Sequence, residues 1–173
     1  MSRVQLLEQV FAHIAATRMQ GVPVLNGALR VQAVGFAPQA DPDGGEWQMG
    51  VLVTPWFMNL VCLPLTVADA GKAVLGVGQK ANRQIGGEHF EFIGAHEEGL
   101  GAFACCSLFS PMFEFADHAA AVATATEVLN LLRTPAPAPT PPVATVVNGP
   151  VEAAPSRRGF LFGRGGPRAG ASA

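Results

Sequence analysis

Three cysteines and four histidines are the side chains best suited to hold a metal ion or attack a bond. Cys62 sits alone in an apolar run, and Cys105 and Cys106 are adjacent. Zinc sites favour a Cys-x2-Cys or His-x3-His spacing, and neither occurs here. Neighbouring residues of a strand point to opposite faces, so Cys105 and Cys106 would not share an ion. A disulfide between adjacent residues closes a strained ring, which makes this pair a poor thiol exchanger. His89 and His96 fall at opposite ends of one expected strand, too far apart for one ion, and His13 and His118 lie on separate expected helices. Ser107, His89 and Asp117 supply the residue types of a hydrolytic triad, but no G-x-S-x-G elbow accompanies them. No P-loop or Gly-rich dinucleotide fingerprint is present, Gly76-Val77-Gly78 being too short. The expectation is a chain with no catalytic residue, no metal and no cofactor.

Binding chemistry is better represented. The segment TPWFMNL at 54–60 and the segment CSLFSPMFEF at 106–115 each set aromatic and Met side chains beside a proline. Phe109, Met112, Phe113 and Phe115 follow the expected end of a strand, where the chain is expected on the surface; the alternative is that the two segments form a second small core closed by the terminal helices. Met and Phe together make adaptable apolar surfaces for peptides. Trp56, Phe57, Met58, Phe109, Met112 and Phe113 are therefore the candidate peptide-binding residues. Glu114 and Asp117 lie next to them and would meet arginines of the bound peptide. A third segment, SRRGFLF at 156–162, resembles a twin-arginine export motif. It is followed by Gly-rich sequence instead of an apolar stretch, so it reads as a look-alike. Arg157, Arg158, Phe160 and Leu161 of this tail would compete for, or add to, a site that takes true twin-arginine peptides.

These segments need elements to position them. Val4, Leu7, Phe11 and Ile14 repeat at helical spacing, so the pattern predicts a helix over Val4–Arg18 with Ser2 as its N-cap. Strands are expected at Leu29–Phe36, Trp47–Thr54, Phe57–Leu63 and, weakly, Ala73–Gln79, with a turn over Pro38–Glu46. His89–His96 and Gly101–Phe109 flank a turn at Glu97–Leu100 and read as a hairpin. Asp117 caps a second expected helix that runs to Arg133, with Val122, Ala125, Val128, Leu129 and Leu132 on one face. The expected fold class is α+β, an antiparallel sheet of about five strands flanked by an N-terminal and a C-terminal helix, with the helices covering one sheet face. Residues 1–134 would form this domain. Residues 135–155, entered through the Pro-rich TPAPAPTPP stretch at 134–142, read as a flexible spacer. Residues 156–173 read as a basic, disordered tail.

Composition narrows the function classes. Of the 173 residues, 49% are hydrophobic and 14% charged, enough for a core and too apolar for a wholly disordered chain. The net charge is −5 over residues 1–134 and +3 over residues 135–173. An acidic body argues against nucleic acid as a partner. No apolar run is long enough to span a bilayer, and no secretory signal opens the chain, so the expected location is the cytoplasm, with reduced thiols and no stable membrane insertion.

Taken together, TPWFMNLVCLP at 54–64, GGEHFEF at 86–92, CSLFSPMFEFAD at 106–117 and RRGFLFGR at 157–164 resemble the NiFe-hydrogenase assembly chaperones of the HybE/HupJ type. The resemblance covers residues 1–134 and the tip of the tail. The chain departs from it in the Pro-rich spacer and at Gly86–His89, where a Pro-Gly turn is expected. The resemblance implies a cytoplasmic, non-catalytic maturation factor. Its implied partners are the hydrogenase small subunit or its twin-arginine signal peptide, and other hydrogenase accessory proteins. The alternative is a metal-cluster or cofactor carrier using Cys62, Cys105, Cys106 and a histidine. A third reading is an enzyme acting on the precursor.

Overall fold

The computed structural model describes residues 1–40, 46–66 and 75–134. The expected spacer at 135–155 and the tail at 156–173, including Arg157, Arg158, Phe160 and Leu161, lie outside the described residues.

The first helix, α1, spans Arg3–Ala16. Ser2 caps it reciprocally with Gln5. The Gln5 N–H donates to Ser2 Oγ at 3.1 Å, and the Ser2 N–H donates to Gln5 Oε1 at 2.8 Å. Leu7, Phe11 and Ile14 are its buried stripe. Six strands follow: β1 (Gln32–Ala40), β2 (Glu46–Val53), β3 (Met58–Pro64), β4 (Lys80–Ile85), β5 (Glu88–Glu97) and β6 (Gly101–Phe109). The last element among the described residues is helix α2, His118–Arg133. Asp117 caps α2 as expected, accepting the Ala120 N–H at 2.8 Å. No helix among the described residues is long and apolar enough to cross a membrane.

The sheet is antiparallel throughout its strand ladders, in the order β1-β2-β3-β6-β5-β4. Each helix covers a different face, which corrects the one-face expectation. Leu52, Val61, Leu63 and Phe103 pack with Leu7, Phe11 and Ile14 of α1. Val51, Val53, Leu60, Cys62 and Phe92 pack with Ala121, Ala125, Leu129 and Leu132 of α2. The cause lies in β2 and β3, where apolar residues run consecutively, and a strand of that kind must be covered on both sides. Val122 and Val128 of α2, expected in its buried face, are only partly buried, and Ala121 takes the central place. Small alanines let the helix lie close to the sheet.

Three strand expectations shift. The strand expected at Leu29–Phe36 runs instead from Gln32 to Ala40, so Pro38 belongs to an edge strand and not to a turn. Edge strands tolerate proline because one row of their N–H groups needs no ladder partner. Residues 41–45 of the expected turn lie outside the described residues. The weak strand expected at Ala73–Gln79 reduces, over its described part, to one parallel bridge between Val77 and Gly94. The sixth strand, β4, was not expected: KANRQI carries little apolar periodicity, and every second residue of this edge strand is exposed.

That bridge depends on glycine. A Cβ at Gly94 would collide with the backbone carbonyl oxygens of Gly76 and Leu75, which cannot rotate aside. Gly94→Ala is expected to cost about 1–3 kcal/mol in urea-denaturation stability. An unchanged midpoint would mean that the Leu75–Gly76 segment does not pack on β5.

Candidate functional site

The two aromatic segments meet at one end of the sheet. Thr54–Phe57 is the turn between β2 and β3, and Ser110–Asp117 joins β6 to α2. Met58 pairs with Phe109 across β3 and β6. The turn is closed by Thr54, whose hydroxyl donates to Phe57 O at 2.9 Å and accepts from the N–H groups of Trp56 (3.2 Å) and Phe57 (2.9 Å). The Ser110 hydroxyl donates to Trp56 O at 3.5 Å, linking the two segments.

Asn26, on the loop between α1 and β1, holds this end together. Its side-chain amide donates to Met112 O at 3.0 Å and to Phe115 O at 2.8 Å. Its backbone N–H donates to Pro55 O at 2.8 Å, and its side-chain oxygen accepts the Ala28 N–H at 3.0 Å. One residue therefore satisfies carbonyls from both aromatic segments. Sequence reading did not single it out. Asn26-Gly27 signals a turn, but nothing local tells which distant carbonyls the amide will find.

His118 performs a similar task one turn away. The Arg30 N–H donates to its Nδ1 at 3.4 Å, so Nε2 carries the proton and donates to Gln32 Oε1 at 2.8 Å. Burial holds the His118 pKa below its ordinary value, with Arg30 adding to the effect and Asp117 opposing it.

The candidate binding residues do not form one groove. Trp56 and Phe57 pack on the α1 side, where Phe57 stacks edge-on against Phe11 at 5.8 Å. Met58, Phe109 and Met112 pack on the α2 side. Met58 and Met112 are fully buried and Phe115 nearly so, which corrects the expected surface placement of Met112 and Phe115. The sheet divides the set because consecutive residues of a strand face opposite ways. Phe109 stacks edge-on against Phe115 at 5.3 Å. What remains outward is Phe113, 58% exposed, together with Glu114, part of Trp56, and Asp117. The Asp117 carboxylate is already used as the helix cap.

The cysteines are likewise split. Cys62 and Cys106 pack on the α2 side, and Cys105 on the α1 side. Burial pushes the Cys62 thiol up to about 12. Burial also raises Cys105, with Cys106 adding to it, and raises Cys106, with Glu91 adding to it. Protonated thiols are poor ligands and poor nucleophiles. Among the described residues no three His, Cys, Asp or Glu side chains come together as a metal site. Ser107 stands on the α1 side of β6 while Asp117 caps α2 on the other, so the triad types are not assembled.

A groove that sequence reading missed runs along α1. It measures about 450 Å3 and lies between the helix and the β5–β6 turn. Its two parts, Leu6 to Arg18 and Glu97–Glu98, are far apart in sequence, and no local pattern could join them.

A family model described as NiFe-hydrogenase assembly, chaperone, HybE matches residues 2–163. The match continues past the end of α2 and takes in the RRGFLF motif. The chain is similar to the protein HoxT of Cupriavidus necator, at 49% identity over 166 residues, covering 94% of this chain and 89% of that one. It is also similar to the hydrogenase expression/formation protein HupJ of Bradyrhizobium diazoefficiens, at 39% identity over 131 residues, 76% of this chain and 72% of that one. The solution structure of HybE from Escherichia coli shares the fold, with a TM-score of 0.54 and 19% identity over 96% of this chain and 92% of that one.

Two outcomes follow for the sheet end. Asn26→Ala removes two amide donors from buried carbonyls and should cost about 1–3 kcal/mol by chemical denaturation; a cost near zero would show that the loops hold without it. For His118, the unfolded chain binds a proton below about pH 6.5 that the folded site resists. Its contribution is therefore complete above that pH and is lost as pH falls toward the lower folded value. Between about pH 7.5 and 5.5 the wild type should lose more stability than His118→Gln; parallel pH profiles would contradict this.

Proposed function

The chain belongs to the HybE family of NiFe-hydrogenase assembly chaperones, and we propose that it captures a segment of the hydrogenase small subunit, its twin-arginine signal peptide in particular, until assembly is complete. The reading is carried by Phe113. This aromatic ring is 58% exposed, yet it sits between two residues, Met112 and Phe115, that anchor the loop in the core. Asn26 fixes the carbonyls of both anchors. An aromatic side chain presented on a restrained loop loses little freedom on binding and suits a hot spot.

Charge supports the same reading. Residues 1–134 carry a net charge of −5, and Glu114 stands exposed beside Phe113. An acidic surface speeds encounter with an arginine-bearing peptide, and carboxylates meet guanidinium in a forked geometry. Of the residue set read from the sequence, Phe113, Glu114 and the outward part of Trp56 form the proposed contact, with Phe57 packed behind it on the α1 side. Met58, Phe109 and Met112 would act beneath it as support, and Asp117 as the cap of α2. The tail residues Arg157, Arg158, Phe160 and Leu161 have the same residue types as the proposed peptide, so the chain contains its own copy of the ligand chemistry. The cytoplasm, where a precursor awaits export, is the proposed location. Other hydrogenase accessory proteins are further proposed partners. The carrier alternative has weaker support, since the three thiols are divided between faces and held protonated.

Calorimetric titration of the full-length protein with a synthetic small-subunit signal peptide tests this. Binding should require the paired arginines of the peptide and weaken roughly tenfold in Phe113→Ala. Failure to bind the peptide, in a preparation that does bind the mature small subunit, would move the target to the folded subunit. Binding that Phe113→Ala leaves unchanged would exclude the sheet-end contact.

A further inference from the structure

The groove along α1 has a floor and a rim of opposite chemistry. Leu6 and Val10 are partly buried, Ile14 is buried, and together they make the floor. Gln9, His13, Thr17, Arg18, Glu97 and Glu98 line the rest. The helix and the turn are clamped together at two points. The Arg3 guanidinium donates to Leu100 O, and Arg18 Nη2 pairs with Glu97 Oε2 at 2.8 Å. The groove is therefore built into the fold, not opened by a ligand.

The Arg18–Glu97 pair shows what the rim accepts. It is a single N–O contact, with the Arg18 side chain 59% exposed, so the guanidinium is held by one edge and much of the rim stays open. Glu98 is exposed beside it. An aliphatic floor and two carboxylates lie within one cleft, Glu97 engaged by Arg18 through one oxygen and Glu98 exposed beside it.

The geometry points to this groove as a docking site for an extended peptide segment carrying arginine next to large apolar side chains. One guanidinium sits on Glu98 and the free edge of Glu97, and an apolar side chain covers Leu6 and Val10. This surface is separate from the Phe113 end: Glu97 pairs with Gly101 at one end of β6, and Phe109 lies at the other. About eight strand residues separate them, roughly 27 Å. The site rests on the chaperone reading only in taking a peptide as its ligand.

The test uses isotope-labelled full-length protein with Arg157→Gln and Arg158→Gln, so that only the added ligand supplies paired guanidinium. The probe is the synthetic peptide Ser-Arg-Arg-Gly-Phe-Leu-Phe. Amide resonances of Val10, His13, Glu98 and Gly99 should shift on titration. Affinity should fall roughly five- to tenfold in Glu98→Gln, a change at an exposed position that leaves the fold intact. Replacing both peptide arginines by lysine should weaken binding as well, because the fork is lost. Shifts confined to Ser110–Asp117 would overturn the groove while leaving the chaperone reading in place. No shift at Val10 and Glu98, or an affinity unchanged by Glu98→Gln, would overturn it too.

Discussion

The whole architecture depends on two strands that are apolar on both faces. Leu52, Val61 and Leu63 turn one way, while Val51, Val53, Leu60 and Cys62 turn the other, and all seven are buried. Neither face can be left to water. Each must be covered, and the described residues supply one helix before the six strands and one after them. Helix α1 arrives with Leu7, Phe11 and Ile14, and α2 with Ala121, Ala125 and Leu129. The connections then follow. The loop after α1 must return to the sheet edge, and the segment after β6 must cross the sheet end to start α2. Asn26 and His118 stand where these two paths meet, and their hydrogen bonds tie one to the other.

This constraint decides the fate of the aromatic residues. Two-sided burial distributes Phe57 to one core and Met58, Phe109 and Met112 to the other. Most of the Met/Phe chemistry that looks like a binding surface in the sequence is spent on packing. What escapes is small and placed: Phe113 on its anchored loop, and the open flank of α1 above Leu6 and Val10. The edge of β1 is closed by the helices themselves, since the Glu8 carboxylate accepts the Ala33 N–H at 2.7 Å and Arg133 donates to Gly35 O. Such charged plugs keep an edge strand from pairing with other chains.

Much of the frame was legible. Ser2 and Asp117 announce their helices, because a short polar side chain ahead of a 3.6-residue apolar stripe is a strong local signal. The β5–β6 hairpin is equally plain. The two-sided coverage was also written in GVLV and NLVCL, since strands with water on one face alternate and these do not. The one-face expectation overlooked that. Strand β4 was hidden because an edge strand with a solvated face needs few apolar residues. The site was harder. Exposure of Phe113 against burial of Met112 depends on how an eight-residue connection crosses the sheet, and the α1 groove joins residues from opposite halves of the body. Only the folded chain brings these together.

Hydrogen–deuterium exchange of the full-length protein, alone and with the hydrogenase small-subunit precursor, tests the central claim most directly. The account predicts slowed exchange in Ser110–Asp117, and in the α1 and Glu97–Gly99 amides that border the groove. Protection confined to β4 and the Gly86–Gly87 turn, or none at all under conditions where the complex forms, would contradict it.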